Sequence, residues 1–400
     1  MKTDKFKNVI IPYLYGFIAL VSLSPYFVWN EPSFIKLLLS FSLLVTALFF
    51  FRAKKIKSKS LFLAFFYSLI VFFLQFSHNG IVFSISSMTI VVFLFFLLDD
   101  EFKYKSHRAF YNLYALSLIP GLFVFFMLLV GFDISWSYLA VNNELKQQAG
   151  LFYRNYIGTV ILSSQIYPFG SGEIFRFSGF FDEPGVVGTV SALLLIADGF
   201  NLKNYKSKVV FLAGVLSFSL AFYLLVVIFL LIKRTSLFLF LLIPVVFFTS
   251  AFFNSLQNNP IINKYVVERF SKGIDNPSSI NNRASDCFID EFDVFIKGGN
   301  VIFGNGASAH VNTGCDVSSY LTIIYNHGFI GLAIIILLYL MMLFCCNVNV
   351  KRVHIFLPFI IMFSMSVYQR PVVLSFWMIL IFLGGVYFYK QTADKDVHYD

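Results

Sequence analysis

Apolar runs of roughly 20 residues, the length of α-helix that crosses a bilayer, recur along most of this chain. No other feature limits the fold as strongly. Charged residues make up 13% of the 400 residues, about half the share that soluble domains carry. The sequence therefore predicts one integral membrane domain over 1–400, all-α and polytopic, with no separate soluble domain.

The predicted membrane segments number about 12. Ten are continuous apolar runs, at about 8–29, 34–51, 61–76, 81–98, 109–131, 184–200, 237–253, 319–345, 354–369 and 372–389. The stretch 209–232 lies between two lysines and is interrupted by Ser217-Phe-Ser219. We expect it to be a hairpin of two short segments, and the alternative is one ordinary helix.

Seven clusters of basic residues separate these segments, and the positive-inside rule makes all seven cytoplasmic. The clusters are Lys2/Lys5/Lys7, Arg52–Lys59, Lys103–Arg108, Lys203–Lys208, Lys233–Arg234, Lys351–Arg352 and Lys390–Lys395. Both termini are then cytoplasmic, and 132–183 and 254–318 become two large loops on the other side of the membrane of a multi-pass protein.

Arginine is rare in the cytoplasmic clusters and common among the other cations. The planar guanidinium suits bidentate capture of phosphate, whereas lysine acts as a point charge. The bias predicts an anionic, phosphate-bearing substrate at the external face, and the candidate ligands there include Arg154, Arg176, Arg283 and Arg370.

The stretch Arg176-Phe-Ser-Gly-Phe-Phe-Asp-Glu-Pro-Gly185 ends the first loop and combines a cation, two carboxylates and a helix start. Charge at a membrane boundary is costly unless it has a partner or a function. Pro184 fits the first helical position, with Asp182 or Glu183 near the N-cap. We expect Arg176 to face a phosphate and Glu183 to line the same cavity. The alternative is that Arg176 pairs with one of these carboxylates and only pins the loop.

The second loop contains an amphipathic segment, Phe288–Lys297, which predicts a short helix at the interface. Phe303-Gly-Asn-Gly306 predicts a turn, and Asn326-His-Gly-Phe-Ile-Gly331 predicts a kinked or partly unwound helix. In an oxidising periplasm Cys287 and Cys315 can form a disulfide, although sequence cannot show their separation.

The order of these motifs resembles that of Wzy-type O-antigen polymerases and the related O-antigen ligases. The resemblance rests on Arg176-Phe-Ser-Gly179 before Pro184-Gly185, on Asn282-Arg283 leading to Phe303-Gly-Asn-Gly306, and on Ser319-Tyr-Leu321 before Gly328 and Gly331. It implies a GT-C-like membrane glycosyltransferase that acts at the periplasmic face and needs no metal or other cofactor. The implied partners are undecaprenyl-pyrophosphate-linked oligosaccharide, membrane lipid and a Wzz-type chain-length regulator.

The chemistry of such a transfer assigns roles to the polar residues of both loops. Arg176 and Arg283 are expected to stabilise the pyrophosphate leaving group, supported by Arg154 and Arg370. Glu183 or Asp316 is expected to act as the base. His310 and Tyr320 are further candidates for substrate binding, and a surface loop position is the alternative for His310.

Other functions compete with polymerisation. Asp316-Val-Ser-Ser-Tyr320 stands where a ligase carries His-x-His-Asn, which favours a polymerase over an O-antigen ligase. A lipid-linked oligosaccharide flippase or another transporter would favour internal repeats and polar residues at the midplane, whereas the polar residues here concentrate in the loops. Nucleic acid is not an expected partner, because no basic face is interleaved with aromatic residues.

Overall fold

The computed structural model describes residues 2–29, 32–51, 56–77, 80–81, 87–141, 147, 150–169, 171–233, 283–347 and 353–396. The chain divides into two compact units. The first unit contains 1–114, 197–199 and 283–400, and the second contains 115–196 and 200–282. The predicted span 237–253 and the part of the second loop over 254–282 lie outside the described residues.

The described residues are mostly helical, as predicted. The helices are α1 (Lys2–Ser22), α2 (Pro32–Phe51), α3 (Ser58–Leu74), α4 (Ser87–Leu97), α5 (Asp100–Leu129), α6 (Pro184–Ala197), α7 (Tyr205–Leu216), α8 (Leu220–Lys233), α9 (Asp286–Gly298), α10 (Leu321–Cys345), α11 (Val353–Gln369) and α12 (Phe376–Asp396). Every predicted span within the described ranges overlaps a helix.

Two of the described helices, α5 and α10, are long and apolar enough to cross a membrane. Shorter apolar helical runs accompany them, over Val9–Ser22, Ser58–Leu74, Met88–Leu97, Pro184–Ala197, Leu220–Lys233 and Val353–Tyr368. The centre of each unit is also helical. In the first unit α12 is buried from 376 to 387, and in the second unit α6 is buried along its whole length.

The stretch 209–232 is a helical hairpin in the second unit. Helix α7 ends before Ser217 and α8 starts after Ser219, as the two serines predicted. The ring of Phe200 lies 6.0 Å from that of Phe211 and 6.3 Å from that of Phe229. One continuous helix would separate the latter two by about 27 Å, so α8 must fold back along α7.

The first long loop corrects the expectation of an all-α chain. In the second unit it contains a three-stranded antiparallel sheet of β3 (Ser137–Ala140), β4 (Phe152–Tyr156) and β5 (Thr159–Leu162), and a hairpin of β6 (Ile166–Phe169) and β7 (Gly172–Phe175). A two-residue pair, β1 (Phe76–Ser77) and β2 (Gly80–Ile81), lies in the first unit. The strands were missed because each holds too few residues for alternation to stand out from the apolar background.

Helix α10 is kinked at Gly328, as its glycines predicted, and the second loop fills the break. Gly328 has φ 64°, so the helical bonds from Phe329 and Ile330 to the carbonyls four residues earlier are lost. Those two amides donate instead to Val301 and Ile302 oxygens, at 2.9 and 3.1 Å. The freed carbonyls of residues 325 and 326 accept from the amides of residues 305 and 306, at 2.9 and 2.8 Å. Four bonds to the loop thus replace two within the helix.

Helix α9 covers the first half of α10 and confirms the predicted amphipathic segment. Ser285 caps its start by accepting a hydrogen bond from the Phe288 amide at 3.4 Å. The buried rings of Phe288 and Phe295 contact the ring of Tyr325 on α10, at centroid distances of 5.4 and 5.1 Å. The apolar face of α9 therefore packs against α10 within the first unit.

Substitution of Gly328 tests how strongly the fold depends on this kink. A Cβ at Gly328 would overlap the carbonyl of Ile302, and a positive φ is itself costly for other residues. We expect G328A to destabilise the protein by about 2 kcal/mol or more, measured as a lower thermal unfolding temperature in detergent.

Gly298 supplies the matched control, because a Cβ there meets nothing within 4 Å. The G298A variant should unfold at the wild-type temperature. Equal unfolding temperatures for G328A and G298A would show that the kink does not constrain the fold.

Candidate functional site

In the first unit, a short β-bridge brings Arg283 and Asp316 together across the second loop. Ala284 pairs with Val317, and the flanking amides of Ser318 and Ser285 donate to the carbonyls of Arg283 and Asp316, at 2.6 and 2.9 Å. Side chains alternate between the two faces of such a pair. The Arg283 and Asp316 side chains are thus diagonal neighbours on one face, where Cα atoms are about 7–8 Å apart.

The opposite face of this bridge explains why the polar face points outward. Ala284 belongs to the apolar cluster of Phe288, Phe295 and Tyr325, and Val317 packs against the same cluster. A disulfide between Cys287 and Cys315, with Cα atoms 5.7 Å apart, closes the loop beside the bridge. The sequence left this pairing open, and the structure forms it.

Tyr320 extends this polar face to the end of a second apolar helix. The Arg283 guanidinium lies 3.5 Å from the Ser318 hydroxyl, and Tyr320, two residues later, directly precedes the first residue of α10. The Tyr320 ring lies 5.2 Å from that of Tyr368 in the last turn of α11. Arg370 follows directly after α11, and its amide donates to the Ser366 carbonyl at 2.9 Å. We call this set of residues the arginine rim: Arg283, Asp316, Ser318, Tyr320, Tyr368 and Arg370.

His310 is tied to the kinked part of α10 and is not a freely moving surface residue. Its amide donates to the Asn326 Oδ1 atom at 3.0 Å, and its Nδ1 atom lies 2.9 Å from the Asn326 Nδ2 atom. If Asn326 donates to Nδ1, the ring proton resides on Nε2. The buried Asn326 amide therefore fixes the orientation of this imidazole.

In the second unit, Arg176 holds the turn of the α7–α8 hairpin. Its Nε and Nη2 atoms donate to the carbonyls of Ser217 and Phe218, at 3.2 and 3.1 Å. The adjacent Phe177 amide donates to the Leu216 carbonyl at 2.9 Å. A cation is favourable at a helix C-terminus, where carbonyls lack intrahelical donors. Arg176 therefore stabilises the end of α7.

Asp182 and Glu183 lie at the start of α6, close to a buried tyrosine. The Tyr153 hydroxyl donates to the Asp182 carbonyl at 3.1 Å, and the Glu183 carbonyl accepts from the Val186 amide at 3.0 Å. Burial raises the pKa of Tyr153, and the charges of Asp182 and Glu183 raise it further. The phenol stays protonated at physiological pH and remains a donor.

Arg154 lies on β4 and is paired with Glu173 on β7. Its Nη1 atom lies 3.2 and 3.1 Å from the two carboxylate oxygens. The guanidinium also lies 5.2 Å from the centroid of the Trp136 ring, a cation–π contact. This pair links the three-stranded sheet to the β6–β7 hairpin.

Beside Arg154, three aromatic rings form a ladder that the sequence did not predict. The Phe152 ring is stacked on those of Tyr138 and Trp136, at 5.3 and 6.1 Å. Tyr138 is 67% exposed and Trp136 is 44% exposed. We call these three residues the aromatic ladder.

No protein-family model, curated protein or solved structure matches the chain significantly. Across the described ranges, no group of three or more His, Cys, Asp or Glu side chains is arranged to hold a metal ion.

The predicted site residues are divided between the two units. The first unit brings together Arg283, Asp316, Tyr320 and Arg370 and anchors His310 nearby in the same loop. The second unit contains Arg154, Arg176 and Glu183. Sequence reasoning missed the aromatic ladder and Glu173, and the alternation of Trp136, Tyr138 and Ala140 was the only signal for a strand there.

The role of Arg176 in the hairpin turn can be measured. Alanine leaves the carbonyls of Ser217 and Phe218 without these charged donors, so we expect R176A to lose about 2–3 kcal/mol of unfolding free energy. R176K keeps the charge without the planar fork and should be intermediate. Lys203→Ala, at an exposed lysine, is the control. A wild-type unfolding temperature for R176A would contradict the capping role.

The disulfide predicts a count of reactive cysteines. Unfolded protein alkylated without reductant should carry two labels by mass spectrometry, and four after reduction, because the other cysteines, Cys345 and Cys346, are free. The C287S/C315S variant should lose about 3–4 kcal/mol, as expected for a loop of this length, whereas C345S should remain close to wild type. Four labels without reductant would rule out the disulfide.

Proposed function

We propose that the chain is a membrane glycosyltransferase that polymerises lipid-linked oligosaccharide repeat units at the periplasmic face of a bacterial inner membrane. The arginine rim is the observation that carries this proposal. It joins two arginines, a carboxylate and two tyrosines, whose rings lie 5.2 Å apart, at adjoining ends of two apolar helices. Such a combination suits a substrate in which a pyrophosphate joins a sugar to an isoprenoid.

The distribution of charge along α10 supports the orientation. The rim lies at its first residue, and lysines from three predicted cytoplasmic clusters lie around its last residue, including Lys59, Lys103 and Lys390. A helix of 25 residues is about 37 Å long, enough to cross a core of roughly 30 Å. A spanning α10 would put the lysines inside and the arginines outside, as the positive-inside rule requires. For the whole chain we propose about 12 membrane segments in a GT-C-like arrangement.

The transfer needs charge stabilisation and one proton acceptor. An acceptor hydroxyl on the new repeat unit attacks the anomeric carbon of the growing glycan. The bond from that carbon to the pyrophosphate oxygen breaks, and undecaprenyl pyrophosphate leaves with the electron pair. Arg283 and Arg370 stabilise the developing negative charge. Asp316 takes the hydroxyl proton.

The aromatic ladder supplies a surface for the glycan itself. Exposed aromatic rings such as those of Trp136 and Tyr138 pack against the apolar faces of pyranose rings. The neighbouring Arg154–Glu173 pair offers donors and acceptors for sugar hydroxyls. This is the supporting role that Arg154 has in the proposal.

The arginine rim makes a direct prediction for glycan length. R283A and R370A should each slow polymerisation by roughly 10²–10³-fold, because the leaving group loses a preorganised cation. R283K should recover part of the activity. The measurement is the lipopolysaccharide ladder on a gel, in a deletion strain complemented with each variant.

Lys297→Ala is the matched control, because this exposed residue lies in the same loop outside the rim. The deletion strain should show one repeat unit on the lipopolysaccharide core. Accumulation of lipid-linked polymer with an empty core would instead identify a ligase, and absence of periplasmic units would identify a flippase. Long ladders in both R283A and R370A would refute the rim as the site of transfer.

A further inference from the structure

A cavity of about 370 Å³ lies in the first unit, at the end of α10 remote from the arginine rim. Its lining includes three lysines, Lys57, Lys59 and Lys103, and the carboxylate of Asp100. None of these residues has a role in the proposed transfer. The cavity is therefore distinct from the proposed site of transfer.

The cavity carries more positive charge than its own groups neutralise. The Lys103 and Lys57 Nζ atoms lie 3.7 and 3.9 Å from Asp100 oxygens, near the limit for an ion pair. Asp100 is shared further, since the Tyr387 hydroxyl donates to it at 2.9 Å. Lys59 donates to the neutral Asn347 side chain at 2.7 Å. Three ammonium groups thus face one carboxylate.

Burial makes the charge of one of these lysines costly, whereas Lys57 and Lys59 are exposed. The Lys103 side chain is only 5% exposed, and burial of a cation is unfavourable without a compensating anion. Lys390 adds a fourth cation at the border, where its Nζ atom donates to the Cys346 carbonyl at 2.8 Å. An anion in the cavity would offset this cost.

The backbone adds donors for the same anion. Helix α3 starts at Ser58, and its N-cap residue Lys57 provides no side-chain cap. The first-turn amides of a helix lack intrahelical acceptors, and the helix dipole favours negative charge there. Ser58 and Ser60 also line the cavity. Ammonium, hydroxyl and amide donors therefore surround one space.

We propose that this cavity binds a phosphate group, supplied by the headgroup of an anionic phospholipid or by a soluble phosphate. Ammonium groups, serine hydroxyls and helix N-terminal amides together form the usual donor set for phosphate. The proposal is independent of the transfer reaction, because the cavity and the arginine rim lie at opposite ends of α10.

Thermal unfolding of the purified full-length protein in detergent tests this site. The protein is titrated with phosphatidylglycerol, with zwitterionic phosphatidylcholine as the control lipid, and separately with inorganic phosphate. We expect phosphatidylglycerol to raise the wild-type unfolding temperature above the effect of phosphatidylcholine. A rise with inorganic phosphate as well identifies a free phosphate as sufficient, whereas a rise with the anionic lipid alone identifies the headgroup.

Variants of the lining give effects of opposite sign. The double variant K57Q/K59Q should bind the anion that stabilises the wild type roughly tenfold more weakly or worse, since each substitution removes one cation near the phosphate. D100N removes the competing carboxylate and should bind more tightly. K105Q is the matched control, because Lys105 pairs with Glu101 at 2.6 Å and does not line the cavity.

Two results would overturn the proposal. One is an unfolding temperature of the wild type that responds to neither anion. The other is an equal response from the wild type and K57Q/K59Q. If K57Q/K59Q does not fold, D100N decides, and an affinity that is unchanged or weaker than that of the wild type rejects the site.

Discussion

The backbone hydrogen bonds at Gly328 are the constraint on which the second loop depends. Tyr325 and Asn326 give up their helical partners, and the segment 301–306 satisfies both halves of the break. Buried backbone groups without partners are costly, so the loop and the kink stabilise each other. This attachment holds the loop against α10 from one side, while α9 and the disulfide hold it from the other. These attachments hold the part of the arginine rim that lies in the second loop.

In the second unit a side chain, rather than a loop, satisfies the backbone groups of an interrupted helix. Arg176 supplies donors to carbonyls that the hairpin turn leaves without helical partners. The guanidinium thereby joins the first loop to α7, directly after β7 ends. Both units thus use polar groups to satisfy interrupted helices.

The sequence predicted the parts that follow from composition and local chemistry. The described apolar helices, the α7–α8 hairpin, the kink at Gly328 and the amphipathic α9 all follow from apolar length, serine or glycine interruptions and helical periodicity. The strands of the first loop were missed, because strands of four or five residues in an aromatic background lack a distinct period. The contacts of Arg176 and the pairing across Ala284 and Val317 depend on tertiary contacts between distant segments. Local sequence carries no signal for such contacts.

Reconstitution tests the central claim most directly. Purified protein in proteoliposomes is supplied with one defined undecaprenyl-pyrophosphate-linked repeat unit, and the lipid-linked products are resolved by mass spectrometry. The account predicts a series of oligomers that each gain one repeat, with one undecaprenyl pyrophosphate released for every bond formed. A substrate that remains a single repeat, or that only crosses the bilayer, would contradict it.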